Sequence, residues 1–208
     1  MDWLKPDWPA PNNVHAAVTC RSGGLSQGKF ASQNLALHVN DDPEIVQKNR
    51  QSMSKMLNLP STPVWLDQSH SNQVIKAEQN SSYLQLADAS YTEQDQVVCT
   101  ILTADCLPVL LSSLDGLKIA AIHAGWRGVL AGIISNTVRA LNSNQLIAWL
   151  GPAIGPGCFE VGREVQTAFI KKSTKFSLAF KQTEDDKFLA DIYQLARIEL
   201  AFLGVNQV

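Results

Sequence analysis

Two apolar runs dominate the hydropathy pattern of the chain. Leu107 to Leu111 is one, Leu117 to Ile122 is the other, and the intervening Ser112-Ser113-Leu114-Asp115-Gly116 has turn composition. The pattern predicts a buried β-hairpin. Hairpin geometry makes paired residue numbers sum to about 229 to 231, which sets Cys106 opposite residues 123 to 125. Cys106 and His123 then share the open end. Directly opposed Cβ atoms lie about 5 Å apart. A thiolate and an imidazole at that separation can share one metal ion or form a thiolate–imidazolium pair.

Other elements follow from local pattern. Residues 1–13 are Pro-rich and predict an extended arm pinned by Trp3 and Trp8, followed by strand character from Val14 to Thr19. Asp42 is a good N-cap for a helix running from Pro43 to about Leu57, with Ile45, Met53, Met56 and Leu57 as its apolar stripe. Pro63 to Leu66 and Val74 to Ala77 predict short strands. Residues 78–96, including Asn80-Ser81-Ser82 and Asp88, predict a polar loop, and Val97 to Leu102 a buried strand. Apolar residues at 130, 133, 134, 137, 138 and 141 have helical spacing. Gly125 to Gly128 then forms a tight strand-to-helix turn. A strand from Leu146 to Leu150 and a helix from Arg163 to Lys171 precede a polar, mobile stretch over 173–187. Asp191-x-x-Gln194 has capping-box form and opens a helix that Gly204 stops; Val205 to Val208 begins a strand. The antiparallel central pair and the irregular alternation of strands with helices indicate an α+β fold.

At 208 residues the chain can bury a sizeable core as one domain spanning 1–208. Its net charge of −2 gives no electrostatic footprint for nucleic acid or an anionic membrane. The first eleven residues carry two acids and three prolines without an apolar stretch, unlike a signal peptide. No run approaches a membrane span. Four cysteines with no C-x-x-C predict reduced thiols and a cytoplasmic protein rather than a disulfide framework.

Several residues are candidates for chemistry. His70, at the end of the strand that begins at Pro63, is on spacing alone a surface or hydrogen-bonded histidine; no short zinc spacing includes it. The helix N-terminus at the Gly125–Gly128 turn, with free N–H groups, a positive dipole end and Arg127 beside it, suggests a cradle for phosphate or developing negative charge. A close-packed turn with Trp126 as core is the alternative. Arg21, in the Gly/Ser-rich loop 21–28, and Arg50 read equally well as ordinary loop and helix charges.

The motifs TADCLPVLL, AAIHAGWRG and GPAIGPGCFEVG, with TCRSGGLSQGKFASQNLALHVNDDP and QSH upstream, are similar to the YfiH-like family, also called laccase-domain or multicopper polyphenol-oxidase-like proteins. The resemblance covers roughly residues 15 to 205. It implies mixed β-sheets packed together and flanked by helices in an α/β/β/α layering. It also implies one Zn2+ or Cu2+ ion held by His70, Cys106 and His123, a Cys/His₂ set that leaves a position open. With only four histidines in the chain, a mononuclear site is the most the sequence supports. Asp105 is placed to orient a histidine, and Asp88 matches a family aspartate whose residue-level reading is a loop cap.

The activity implied is phosphorolysis of adenosine, inosine and methylthioadenosine, with adenosine deamination at the same site. Catalysis falls to His70, Cys106, His123 and Arg127. Substrate binding falls to Arg21, Gly125, Trp126, Arg127, Gly155 and Cys158. The partners are then a purine nucleoside and phosphate, with the protein a monomer. The alternatives are a copper-dependent polyphenol oxidase, a cysteine hydrolase with Cys106 as nucleophile and His123 as base, and a non-enzymatic binding role. Family members continue past the last helix with a Cys-Thr segment and a Tyr-Arg-Arg stretch against the site, so the resemblance implies that this chain lacks a C-terminal segment bearing on substrate binding.

Overall fold

The computed structural model describes residues 2–79 and 84–208; Asn80-Ser81-Ser82, assigned above to a loop, lies outside them. In chain order the strands and α-helices are β1 (Trp3–Leu4), β2 (Val18–Thr19), α1 (Pro43–Met56), β3 (Leu66–Asp67), β4 (Val74–Lys76), β5 (Gln85–Leu86), β6 (Ala89–Thr92), β7 (Leu107–Ser113) and β8 (Ile119–Ala124). There follow α2 (Trp126–Ala131), α3 (Ile133–Leu141), β9 (Leu146–Leu150), β10 (Glu160–Gly162), α4 (Arg163–Lys172), β11 (Phe180–Glu184), β12 (Lys187–Ala190) and α5 (Ile192–Phe202).

The predicted hairpin is the centre of a five-stranded sheet of order β4-β6-β8-β7-β9. Only β4 and β6 run parallel; the other neighbours are antiparallel. Strand β7 has a neighbour on both sides and is buried at Leu107, Val109 and Leu111. Each such side chain contributes about 1.5–3 kcal/mol relative to exposure. Helix α3 lies on β4, β6 and β8 and turns Ile133, Ile134 and Leu141 into the core, where they meet Leu195 and Leu200 of α5. A second, three-stranded sheet has the order β10-β12-β11 and carries α4. The whole is a mixed α/β assembly of several sheets and helices, as expected.

Local signals were read correctly where the stabilising bond is itself local. The Asp42 side chain accepts from the Glu44 N–H at 2.8 Å, and the Asp191 side chain accepts from the Gln194 N–H at 3.0 Å. The differences lie elsewhere. The predicted single helix after the hairpin is two, broken at Gly132, whose φ of 94° an L side chain adopts only under strain. The predicted loop 78–96 contains β5 and β6, and β6 is a buried strand of the central sheet. The segment 97–102 is not a strand but a path held by one bridge, Val64 to Cys99. The stretch 173–187 is ordered as a 3₁₀ turn over Thr174–Ala179 and as β11. Trp3 is exposed, and the N-terminal arm is held instead by β1 pairing with β2 and by buried Pro6. Helix α1 buries Val46 and Asn49 beside Met53, rather than Ile45. Past α5, the expected strand amounts to one bridge from Gln207 to Ile147.

Candidate metal centre

The hairpin ladder pairs Leu107 with Ala124 and Pro108 with His123, so paired numbers sum to 231. One step further, Cys106 faces Gly125. The register is thus the upper limit of that expected, and Cys106 and His123 are diagonal neighbours on one face rather than directly opposed. The vacancy left by Gly125 is what the site uses. A Cβ there would lie 2.7 Å from His70 Cδ2 and 3.0 Å from Cys106 Sγ. The imidazole of His70 therefore occupies the volume a side chain at 125 would take. Its ring sits edge-on to that of His123, with centroids 4.7 Å apart.

His70 arrives on a different part of the chain, the connection between β3 and β4. Its φ of 60° is left-handed, an uncommon conformation for a non-glycine residue that needs outside support. Asp88 supplies it. This carboxylate, fully buried just before β6, accepts from the backbone N–H of Ser69, His70 and Ser71 at 3.2, 2.9 and 2.6 Å, and from the Ser71 hydroxyl at 2.7 Å. The same carboxylate meets His123 Nδ1 at 2.7 Å, and the Asp88 carbonyl accepts from the His123 N–H at 2.7 Å. Gln68 ties the arm to the approach of Cys106: its amide donates to the Leu102 carbonyl at 2.8 Å and accepts from the Leu102 N–H at 2.7 Å. Asn72 ties it to the helix break, donating to the Ala131 carbonyl at 2.9 Å and accepting from the Asn136 amide at 2.9 Å.

These contacts set the protonation states. Burial alone would raise the Asp88 pKa, but the bonds from His123, Ser71 and the backbone overcome it and lower the group to about 2. Burial likewise opposes a charge on His123, yet the bonds to Asp88 and Cys106 raise it to about 9. His70 is shifted down from its ordinary value, first by burial and then by repulsion from His123. The buried thiol of Cys99 is pushed up to about 12 by burial and is inert.

One imidazole nitrogen of His70, one of His123 and the Cys106 sulfur lie within 4.8 Å of one another; Cys106 Sγ is 3.6 Å from His70 Nε2. The donor types and convergence fit a divalent ion, and the engagement of His123 Nδ1 with Asp88 leaves Nε2 as the nitrogen that could ligate one. An ion held by these three donors would keep a coordination position open.

The remaining predicted residues are distributed around this cluster. Gly125 lines it directly. Arg127 is exposed, with its guanidinium 4.3 Å over the ring of half-buried Trp126, and it depresses the His70 pKa. Helix α2 has only six residues, so its dipole adds little to that charge. Gly155 and Cys158 form an exposed turn, closed by the Cys158 N–H on the Gly155 carbonyl at 3.0 Å. This turn is anchored next to Cys106 by the Ile154 N–H on the Asp105 carbonyl at 2.9 Å. Arg21 is exposed and folds back on the Ala31 carbonyl at 2.7 Å, closing its own loop. Arg50 is half-buried and stacked 3.7 Å over Trp65, not a solvated charge.

The residues missed are the supporting ones. Asp88, rather than exposed Asp105, orients a histidine, and the roles of the Gln68 and Asn72 side chains were not foreseen. Besides its match to a family aspartate, the signal for Asp88 in the residues is an acid set between Ala87 and Ala89 at the head of the β-prone Ala-Ser-Tyr-Thr segment.

Comparison with known proteins bears on the identity of this arrangement. Residues 15–208 match the family described as multi-copper polyphenol oxidoreductase laccase. Curated relatives include a purine nucleoside phosphorylase of Pseudomonas aeruginosa, 48% identical over 99% of this chain and 85% of its own length. The purine nucleoside phosphorylase YfiH of Escherichia coli is also 48% identical, with the same coverage. Among solved structures, a Neisseria meningitidis protein superposes with a TM-score of 0.95 at 42% identity, over 99% of this chain and 85% of that one. YlmD of Geobacillus stearothermophilus gives 0.91 at 27% identity, over 99% and 82%. The hairpin bearing Cys106 and His123, and the arm that brings His70 to it, all fall within the matched range: the chain belongs to the YfiH-like, laccase-domain family.

Proposed function

We propose that this protein is a metal-dependent purine nucleoside phosphorylase that acts on adenosine, inosine and methylthioadenosine, and that the same centre deaminates adenosine. The observation that carries the reading is the convergence of His70, Cys106 and His123 within 4.8 Å, in a chain 48% identical to proteins named purine nucleoside phosphorylases. A single Zn2+ or Cu2+ ion would supply Lewis-acid polarisation of an oxygen and acidification of water. Asp88 holds the proton on His123 Nδ1 and keeps its Nε2 turned to the centre. Arg127 is the cation assigned to phosphate, beside the open side marked by exposed His70. In phosphorolysis a phosphate oxygen bonds to ribose C1′, the bond from C1′ to the purine nitrogen breaks, and the purine leaves with the electron pair and takes up a proton. In deamination water adds at C6 and ammonia departs. Trp126 and the Gly155–Cys158 turn are assigned to the walls of the substrate site, and Arg21 to its rim.

The test is chromatographic analysis of metal-replete protein with adenosine, with and without phosphate. Adenine and ribose 1-phosphate appearing only with phosphate support phosphorolysis. Inosine in both samples supports deamination. Neither product in either sample overturns the reading.

A second reading, Cys106 as nucleophile with His123 as base, is favoured by the approach of the Cys106 sulfur to within 4.8 Å of a His123 ring nitrogen. It predicts that chelation leaves turnover intact while alkylation of Cys106 abolishes it. Phenol turnover that requires copper and ignores phosphate would instead favour the oxidase that the family description names.

A further inference from the structure

We infer that Asp88 is the positioning residue on which both histidine ligands depend, so that the three-donor centre forms or dissolves as a unit around this one carboxylate. The inference rests on the metal reading above and adds a residue to it. Its basis is the division of labour between the two oxygens. Oδ1 accepts from His123 Nδ1 at 2.7 Å and from the His70 N–H at 2.9 Å. Oδ2 accepts from the Ser71 N–H, the Ser71 hydroxyl and the Ser69 N–H at 2.6, 2.7 and 3.2 Å. Five donors converge on a group with four lone-pair directions, and all five come from the two ligand-bearing segments. The two histidines lie on elements with no shared ladder: His123 is on β8 in the middle of the sheet, and His70 is in the left-handed turn before β4. Asp88, bonded to His123 just before the strand between them, is where their positions are reconciled.

This arrangement makes the isosteric amide a severe replacement. In Asp88→Asn one acceptor becomes an NH₂ donor. Turned toward Ser71, that group faces two backbone N–H groups that cannot accept, and the turn carrying His70 is released. Turned toward His123, it faces Nδ1–H; relief requires the other tautomer, which moves the proton onto Nε2, the ligand nitrogen. Either orientation costs the centre one histidine. A merely structural acid would lower stability without changing the coordination.

The experiment is titration of the apoprotein with Co2+, following its thiolate charge-transfer and d–d absorption, for the unmodified chain, Asp88→Asn, His70→Ala and the double variant. Asp88→Asn is expected to weaken Co2+ binding about 10- to 100-fold and to lower the d–d intensity, the mark of a lost ligand. Because Asp88 acts partly through His70, the double variant is expected to lose less than the product of the two single losses. Unchanged affinity and spectrum in Asp88→Asn overturn the inference while leaving the metal reading standing. No thiolate band in the unmodified protein overturns both. If Asp88→Asn does not fold, the unmodified Zn2+-loaded protein decides. Nitrogen-15 NMR is expected to show His123 Nδ1 bearing a protected proton and Nε2 ligated; the reverse assignment overturns the inference.

Discussion

The two halves of the candidate centre are built by different means. Cys106 and His123 stand at the end of an antiparallel ladder, where backbone hydrogen bonds to both neighbours of β7 fix the register and a one-residue slip would reverse every buried side chain. His123 is only 4% exposed. His70 stands on an exposed left-handed turn, held by Asp88 on its backbone N–H and by the neighbouring Gln68 and Asn72 side chains on Leu102 and Ala131. The ladder-borne candidate ligands are placed by the fold itself. The third candidate is placed by a few polar groups, so it is expected to move without unmaking the sheet.

That contrast is most directly broken at His123. His123→Ala removes a ladder-borne ligand and leaves Asp88 buried without its imidazole partner. Metal affinity is expected to fall by more than about 100-fold, the upper end of losses from outer contacts alone, with a lower melting temperature as well. Calorimetric titration and thermal unfolding check both. Gly125→Ala separates the halves. Its φ of −66° suits alanine, but the new Cβ meets His70 Cδ2 at 2.7 Å. The arm is expected to be pushed out, with metal affinity falling about 10- to 100-fold while the melting temperature of the apoprotein barely moves. Equal damage to both quantities would show that the arm is not separable.

Proton linkage gives a third test. Metal binding must displace the proton that His123 holds up to about pH 9. Affinity is therefore expected to rise by about tenfold per pH unit attributable to this group, then level off above about pH 9. In the apoprotein His123 is raised above its ordinary 6.5, so its stabilising contribution is complete below about pH 6.5 and lost as pH rises through about 9. The depressed Asp88 behaves oppositely: its contribution is present above about pH 3.8 and lost as pH falls through about 2. Apoprotein melting curves across pH check both signs. The smallest effect is expected at Gln68. Gln68→Ala removes the pair of bonds to Leu102 but leaves Asp88 in place, for about 1 kcal/mol, or roughly fivefold in metal affinity.

The same contrast explains what could be read from the sequence. The hairpin was legible because its turn, its apolar runs and its pairing arithmetic are local. The caps at Asp42 and Asp191 were legible for the same reason. Strand β6 was not: four residues of mixed polarity gain their burial from pairing with β4 and β8, partners separated by long stretches of chain. From the residues alone Asp88 reads as a loop cap, because its chief partner lies 35 residues away. Membership of His70 in the centre came through the resemblance, not its spacing. The break at Gly132 escaped because the apolar period continues unbroken across it. No helix among the described residues is long and apolar enough to cross a membrane, in keeping with the hydropathy pattern.

The 36-position separation of His70 and Cys106 also implies an order of events. A hairpin of neighbouring strands closes early and fast, whereas the parallel pairing of β4 with β6 must close a longer loop and comes later. Until that pairing exists, the chain offers a passing ion only a two-donor site with weak hold. Tight capture of an ion by these three donors would therefore wait until the sheet is complete.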